Sequence, residues 1–149
     1  MKEDTMVPSV LIAVDGSNPA MQAVDYAAAL TRLIPGMGFD LLYVLPQIPP
    51  VIRSEARSDG RMLQKMKNLE AAHRKRGREI LDRAREHLLA RGIESGRINT
   101  KMRARHSGLA KDILNEAESR RHDALIVGRR GLTMAQEIFM GSVSNQLIQ

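Results

Sequence analysis

The chain has 149 residues, 43% of them apolar and 27% charged, with a net charge of +6. It contains no Cys, which excludes a disulfide framework, a zinc–thiolate site and a thiol nucleophile. No apolar run approaches the roughly 18–20 residues of a membrane span, the N-terminal MKEDTMVPS is too polar for a secretory leader, and the length suits one domain, 1–149.

SVLIAVD (9–15) is a short run rich in branched residues and predicts a strand buried on both faces. Asn18 can cap a helix and Pro19 fits its first position. That helix extends to about Leu33 with Ala20, Val24, Ala27 and Ala28 on one side, and Pro35 and Gly36 stop it. FDLLYVL (39–45) predicts a second strand, ended by Pro46, Pro49 and Pro50. The stretch 46–60 lacks a clear period and reads as a mobile surface loop. From 61 to 91, Met62, Met66, Leu69, Ile80, Ala84 and Leu88 recur at helical spacing, and Gly92 closes the helix. INTKMRA (98–104) predicts a third, more polar strand at a sheet edge. Ser107 and Gly108 lead into a helix that turns Leu109, Ile113, Leu114 and Ala117 to the core, with Arg120 and Arg121 at its C-terminal end. DALIV (123–127) predicts the fourth strand, and a last helix begins near Gly141.

Strict alternation of strands and helices predicts an α/β fold, a doubly wound parallel sheet with helices on both faces. Such sheets bind ligands beyond the C-terminal ends of their strands, where strand order reverses. The first strand ends at Asp15 and the fourth at Gly128, so both ends share one rim.

The segment GRRGLTMAQEIFMGSVS (128–144) carries the densest signal. Gly128 and Gly131 can bring bare backbone close to a bulky anion. Gly141 and Ser142 fall where the last helix starts, and a helix N-terminus seats phosphate; Ser142 and Ser144 add hydroxyl donors. The structural alternative is a turn at Gly128, a cap at Gly131 and a close packing point at Gly141. Neither a Walker loop nor a dinucleotide fingerprint occurs, since Gly36 and Gly38 precede a strand.

Asp15 can meet ribose hydroxyls, or close an Asx turn into the first helix. Arg129 and Arg130 can neutralise phosphate charge or form a solvated loop pair. His73, His87, His106 and His122 show no zinc-ligand spacing, and no Ser–His–Asp grouping suggests a triad, so no catalytic residue is assigned. Arg74, Lys75, Arg76, Arg78, Arg83 and Arg85 interleave with acids on a solvated helix face. With only two Phe and two Tyr to stack on bases, a nucleic-acid partner is not expected.

G-x-x-G, nine residues, then G-[ST], here Gly128, Gly131, Gly141 and Ser142, resembles the nucleotide-binding signature of the universal stress proteins. VLIAVDGS (10–17), the alanine-rich first helix and LLYV (41–44) resemble that family too, so the similarity covers nearly the whole chain. The resemblance implies a Rossmann-like fold of the adenine-nucleotide α-hydrolase type and ATP as ligand, commonly with Mg or Mn. It implies that Ala13, Val14 and Asp15 border adenosine, that Val44 packs on adenine and that Val127 touches base or sugar. It gives Gly128, Gly131, Gly141, Ser142 and Val143 to the phosphates, with Arg130 beside them. It further implies a cytoplasmic homodimer that senses or signals through nucleotide, with at most weak ATP hydrolysis and no membrane partner. Family members usually continue into a fifth strand of the form PVLVV, whereas this sequence stops at LIQ (147–149), so four strands are expected and the fourth is left at an exposed edge.

Overall fold

The computed structural model describes residues 7–128. The element order is β1 (Ser9–Ala13), α1 (Asn18–Leu30), β2 (Gly38–Val44), α2 (Pro50–Glu55), α3 (Gly60–Ala90), β3 (Ile98–Arg103), α4 (Leu109–Ser119) and β4 (Ala124–Val127). The strands are parallel and ordered β3-β2-β1-β4. Succession runs outward from β1 through β2 to β3 and then jumps to the far side of β1, so strand order reverses between β1 and β4. This is the expected doubly wound α/β sheet, and the polar β3 lies at an edge as its composition predicts.

Strand alternation sorts the core into two layers. Val10, Ile12 and Val14 join Phe39, Leu41, Tyr43 and Leu45 beneath α1 and α3. Leu11, Ala13, Leu42 and Val44 face α4 through Ile113 and Ala117. Both faces of β1 and β2 are therefore apolar apart from Asp40, as continuous branched runs require.

The helices begin and end for readable reasons. Ser17, rather than Asn18, caps α1, its Oγ accepting from the Ala20 N–H at 3.2 Å. Asp59 caps α3 by accepting from the Arg61 N–H at 2.9 Å. The stretch 46–60 is not structureless: Pro50 opens the short α2, because a proline in the first helical turn lacks only an N–H that would be unsatisfied anyway. The buried residues of α3 are confined to its second half, Gly77, Ile80, Leu81, Ala84 and Leu88. Gly77 lets the helix press on the sheet, since a Cβ there would lie 2.6 Å from Tyr43 Cδ1 and 2.8 Å from Met102 Sδ. His87 Nδ1 meets Asp25 Oδ1 at 3.2 Å and ties α3 to α1. The expected last helix near Gly141 lies outside the described residues.

Candidate functional site

A cleft opens at the C-terminal ends of β1 and β2. Ala13, Val14 and Asp15 form one wall, Tyr43, Val44 and Pro46 the second, and Leu109 and Ile113 of α4 the third, with Arg105 at the mouth. Ala13 pairs in register with Leu42 on one side and with Val127 on the other, which brings the β4 end alongside. Ala13, Val44 and Val127 present side chains to the same α4-facing layer, an apolar surface suited to a planar base. Val14 differs: its side chain belongs to the opposite core layer and its N–H donates to the Leu42 carbonyl at 2.9 Å. It lines the cleft as part of that wall while its side chain packs into the core.

Asp15 combines both sequence readings. Its Oδ1 accepts from the Ser17 N–H at 2.9 Å, closing the Asx turn, while the carboxylate is exposed and lines the cleft. Gly16 makes the turn possible with φ +85, in the left-handed region that favours glycine.

Gly128 has a reason of its own in the fold. A Cβ at this position would lie 2.6 Å from Ala20 N and 2.8 Å from Ala20 Cα, so the end of β4 abuts the first turn of α1. That close approach accounts for the glycine before any ligand is considered. Arg130, Gly131, Gly141, Ser142 and Val143 lie outside the described residues.

Two buried carboxylates shape the α4 wall, and neither was singled out from sequence. Asp112 is 0% exposed. It accepts from the His106 N–H at 2.8 Å and the Ser107 N–H at 3.1 Å, fixing the β3–α4 connection. Burial alone would raise its pKa, but these bonds and the charges of Arg103 and His106 outweigh it and hold the carboxyl below its ordinary value of 3.8. Glu116, 3% exposed, is likewise buried against that preference. Lys101 Nζ at 2.7 Å and Arg103 Nη1 at 3.0 Å bind it and hold it below its ordinary 4.5. The signal available in sequence was the row Asn99, Lys101, Arg103 along one face of β3, which calls for an acid opposite. His122 was also unassigned; its side chain is 2% exposed, with Nε2 at 2.6 Å from Asp40 Oδ2. A lone Asp in the apolar run of β2 was the readable sign of that pair.

Both carboxyls have native pKa values lowered from those of the unfolded chain, so their stabilisation is complete above 4.5 and is lost as pH falls toward the native values, from 4.5 downward for Glu116 and from 3.8 downward for Asp112. Thermal unfolding followed by circular dichroism is expected to show a falling midpoint on acidification in that window. Glu116→Gln is expected to flatten the dependence.

Among the described residues no group of three His, Asp or Glu side chains is placed to hold a metal ion, and no helix is long and apolar enough to cross a membrane. The cleft lies at the C-terminal ends of β1 and β2, beside the β1–β4 reversal of a doubly wound α/β sheet, which defines a Rossmann-like fold. The universal stress protein family model matches residues 6–149, and the chain belongs to that family. Universal stress protein YxiE of Bacillus subtilis is 24% identical over 150 residues, covering 97% of this chain and 93% of the relative. A universal stress protein family protein from Arabidopsis thaliana, solved with AMP bound, superposes with a TM-score of 0.60 at 16% identity, covering 91% of this chain and 86% of the other. A universal stress protein solved in complex with cAMP superposes with a TM-score of 0.57 at 23% identity, covering 94% and 88%.

Proposed function

We propose that this chain binds an adenine nucleotide in the β1–β2–β4 rim cleft and acts as a nucleotide-dependent sensor or signalling module. The observation that carries the reading is an apolar cleft with a carboxylate at its edge, at the C-terminal ends of β1 and β2 and next to the β1–β4 reversal. Ala13, Val44 and Val127 fit the base, and the free oxygen of Asp15 fits ribose hydroxyls. The phosphates fall to the N–H groups around Gly128, Gly131, Gly141, Ser142 and Val143, with Arg130 adding charge. ATP carrying Mg or Mn on its phosphates is the proposed physiological ligand, and AMP and cAMP in the two solved relatives support the adenine class. Binding rather than turnover is proposed, because Asp15 is the one carboxylate lining the cleft among the described residues and it already accepts from Ser17. Action as a cytoplasmic homodimer belongs to the same proposal.

Calorimetric titration with AMP, and with ATP with and without Mg, tests this. Saturable binding at one nucleotide per chain is expected. Asp15→Asn keeps an acceptor for the Ser17 N–H but loses the charge, and Asp15→Ala loses both. Each is expected to weaken AMP binding about tenfold, the size of a charge-assisted hydrogen bond. Absence of saturable binding in the unaltered chain overturns the proposal; unchanged affinity in both variants removes Asp15 from the site.

A further inference from the structure

A second cavity lies across Pro46 and Arg105 from the nucleotide cleft. Arg53 of α2, His73 and Arg74 of α3, and Arg105 of the β3–α4 connection converge on it from separate segments. Its apolar wall is Leu45, Pro46 and Ile48, and Glu70 is its one carboxylate among the described residues. With three guanidinium groups against one acid, the lining is net positive even with His73 neutral.

The geometry points to this cavity as a site for a phosphate group, separate from the nucleotide cleft. Three observations carry the assignment. First, Arg105 Nε is buried and has no hydrogen-bond partner among the described residues. A guanidinium N–H withdrawn from water without an acceptor is uncommon in folded chains, and it leaves the Arg105 charge without a compensating partner beside the cavity. Second, other cations of the same region are spoken for. Lys101 and Arg103 pair with Glu116. Arg53, Arg74 and Arg105 form no ion pair among the described residues, although Glu70 shares their cavity. Third, the buried Leu45 and Ile48 back the site with apolar surface, which strengthens attraction between charges placed against it. Planar guanidinium forks match the oxygens of phosphate, which favours this anion over a spherical one.

The phosphate has two possible carriers, a free anion or the distal end of a nucleotide held in the neighbouring cleft, and the test separates them. Inorganic phosphate is titrated into the full chain, alone and with saturating AMP, followed by NMR of backbone amides. AMP and ATP affinities are measured on the same samples. Arg74→Met and Arg53→Met remove exposed cations that do not line the nucleotide cleft; Arg105→Met removes the shared one. For a free anion, phosphate binds alongside AMP, shifting amides around 45–48 and 73–74, and Arg74→Met weakens it about tenfold while leaving AMP affinity unchanged. For a nucleotide-borne phosphate, Arg74→Met weakens ATP several-fold more than AMP. The assignment is overturned if phosphate competes with AMP and ignores Arg74, or if no variant alters phosphate or ATP binding. Failure of AMP to bind at all sinks the nucleotide proposal and leaves the phosphate titration to decide this one.

Discussion

Gly128→Ala is expected to destabilise the fold by about 3 kcal/mol, at the upper end of what an inserted methyl costs in a packed site. The magnitude follows from what the methyl meets. Its nearest neighbours are Ala20 N and Ala20 Cα, at 2.6 and 2.8 Å, and both are main-chain atoms of the first turn of α1. A side chain could rotate aside, but this backbone is held by the Ser17 cap and by the pairing of β4 with β1. Relief therefore requires moving a helix or a strand end. Gly96→Ala is the control, since nothing lies within 4 Å of a Cβ there, and it should change stability by less than about 0.5 kcal/mol. Urea denaturation of the three proteins decides the matter. If Gly128→Ala unfolds with the unaltered chain and loses only nucleotide affinity, the glycine serves the ligand and the α1 contact is unimportant. A loss of AMP binding in this variant is informative only alongside its stability, since a shifted β4 end also displaces Val127.

Asp112→Ala is expected to cost about 3 kcal/mol, since bonds to an ionised group contribute roughly 1.5–3 kcal/mol each and do not add fully. The carboxylate takes the N–H groups of His106 and Ser107, which have no other acceptor among the described residues, at the point where Gly108 turns the chain with φ +112. Removing it also leaves a void beneath α4. Asp112→Asn retains one acceptor oxygen but turns an NH2 group toward a donor, so an intermediate loss is expected. Denaturation gives the free energies, and amide hydrogen exchange at His106 and Ser107 gives the cause. Exchange there should rise far more than in β1. A stability change below about 0.5 kcal/mol would show that water replaces the carboxylate without cost. Because Arg105 and Leu109 flank this connection and line the cleft, weaker AMP binding is expected with the loosening.

What could be read in advance follows from the range of the interactions. β1 and β2 are legible because burial on both faces demands unbroken runs of branched and apolar residues, which local sequence displays. The edge position of β3 is legible from Asn99, Lys101 and Arg103. The first wall of the cleft, Ala13 to Asp15, follows from where a strand ends and a capped helix begins. α2 is not legible from local pattern, since Pro46, Pro49 and Pro50 signal a break while Pro50 in fact opens a helix. Gly77 sits in a charged stretch of α3 and shows no local sign of its role, because the residue that requires it, Tyr43, is on a strand. Gly128 announces itself as unusual but not why, since Ala20 lies near the other end of the chain. Asp112 and Glu116 are polar residues on an amphipathic helix, which local pattern sends to solvent. Only the facing donors of β3 and its following connection bring them inside.

The length of α3 has a consequence beyond packing. At 31 residues it is roughly 46 Å long, about twice the span of the seven-residue β2. The half from Gly60 to Arg76 extends past the buried stretch, so its ordering depends on helical propensity and a thin apolar seam rather than on the core. One continuous element therefore joins a shaft anchored in the sheet core to an arm that meets α2 and lines the second cavity. A substitution in this arm therefore reaches α2 and the second cavity before it reaches the sheet.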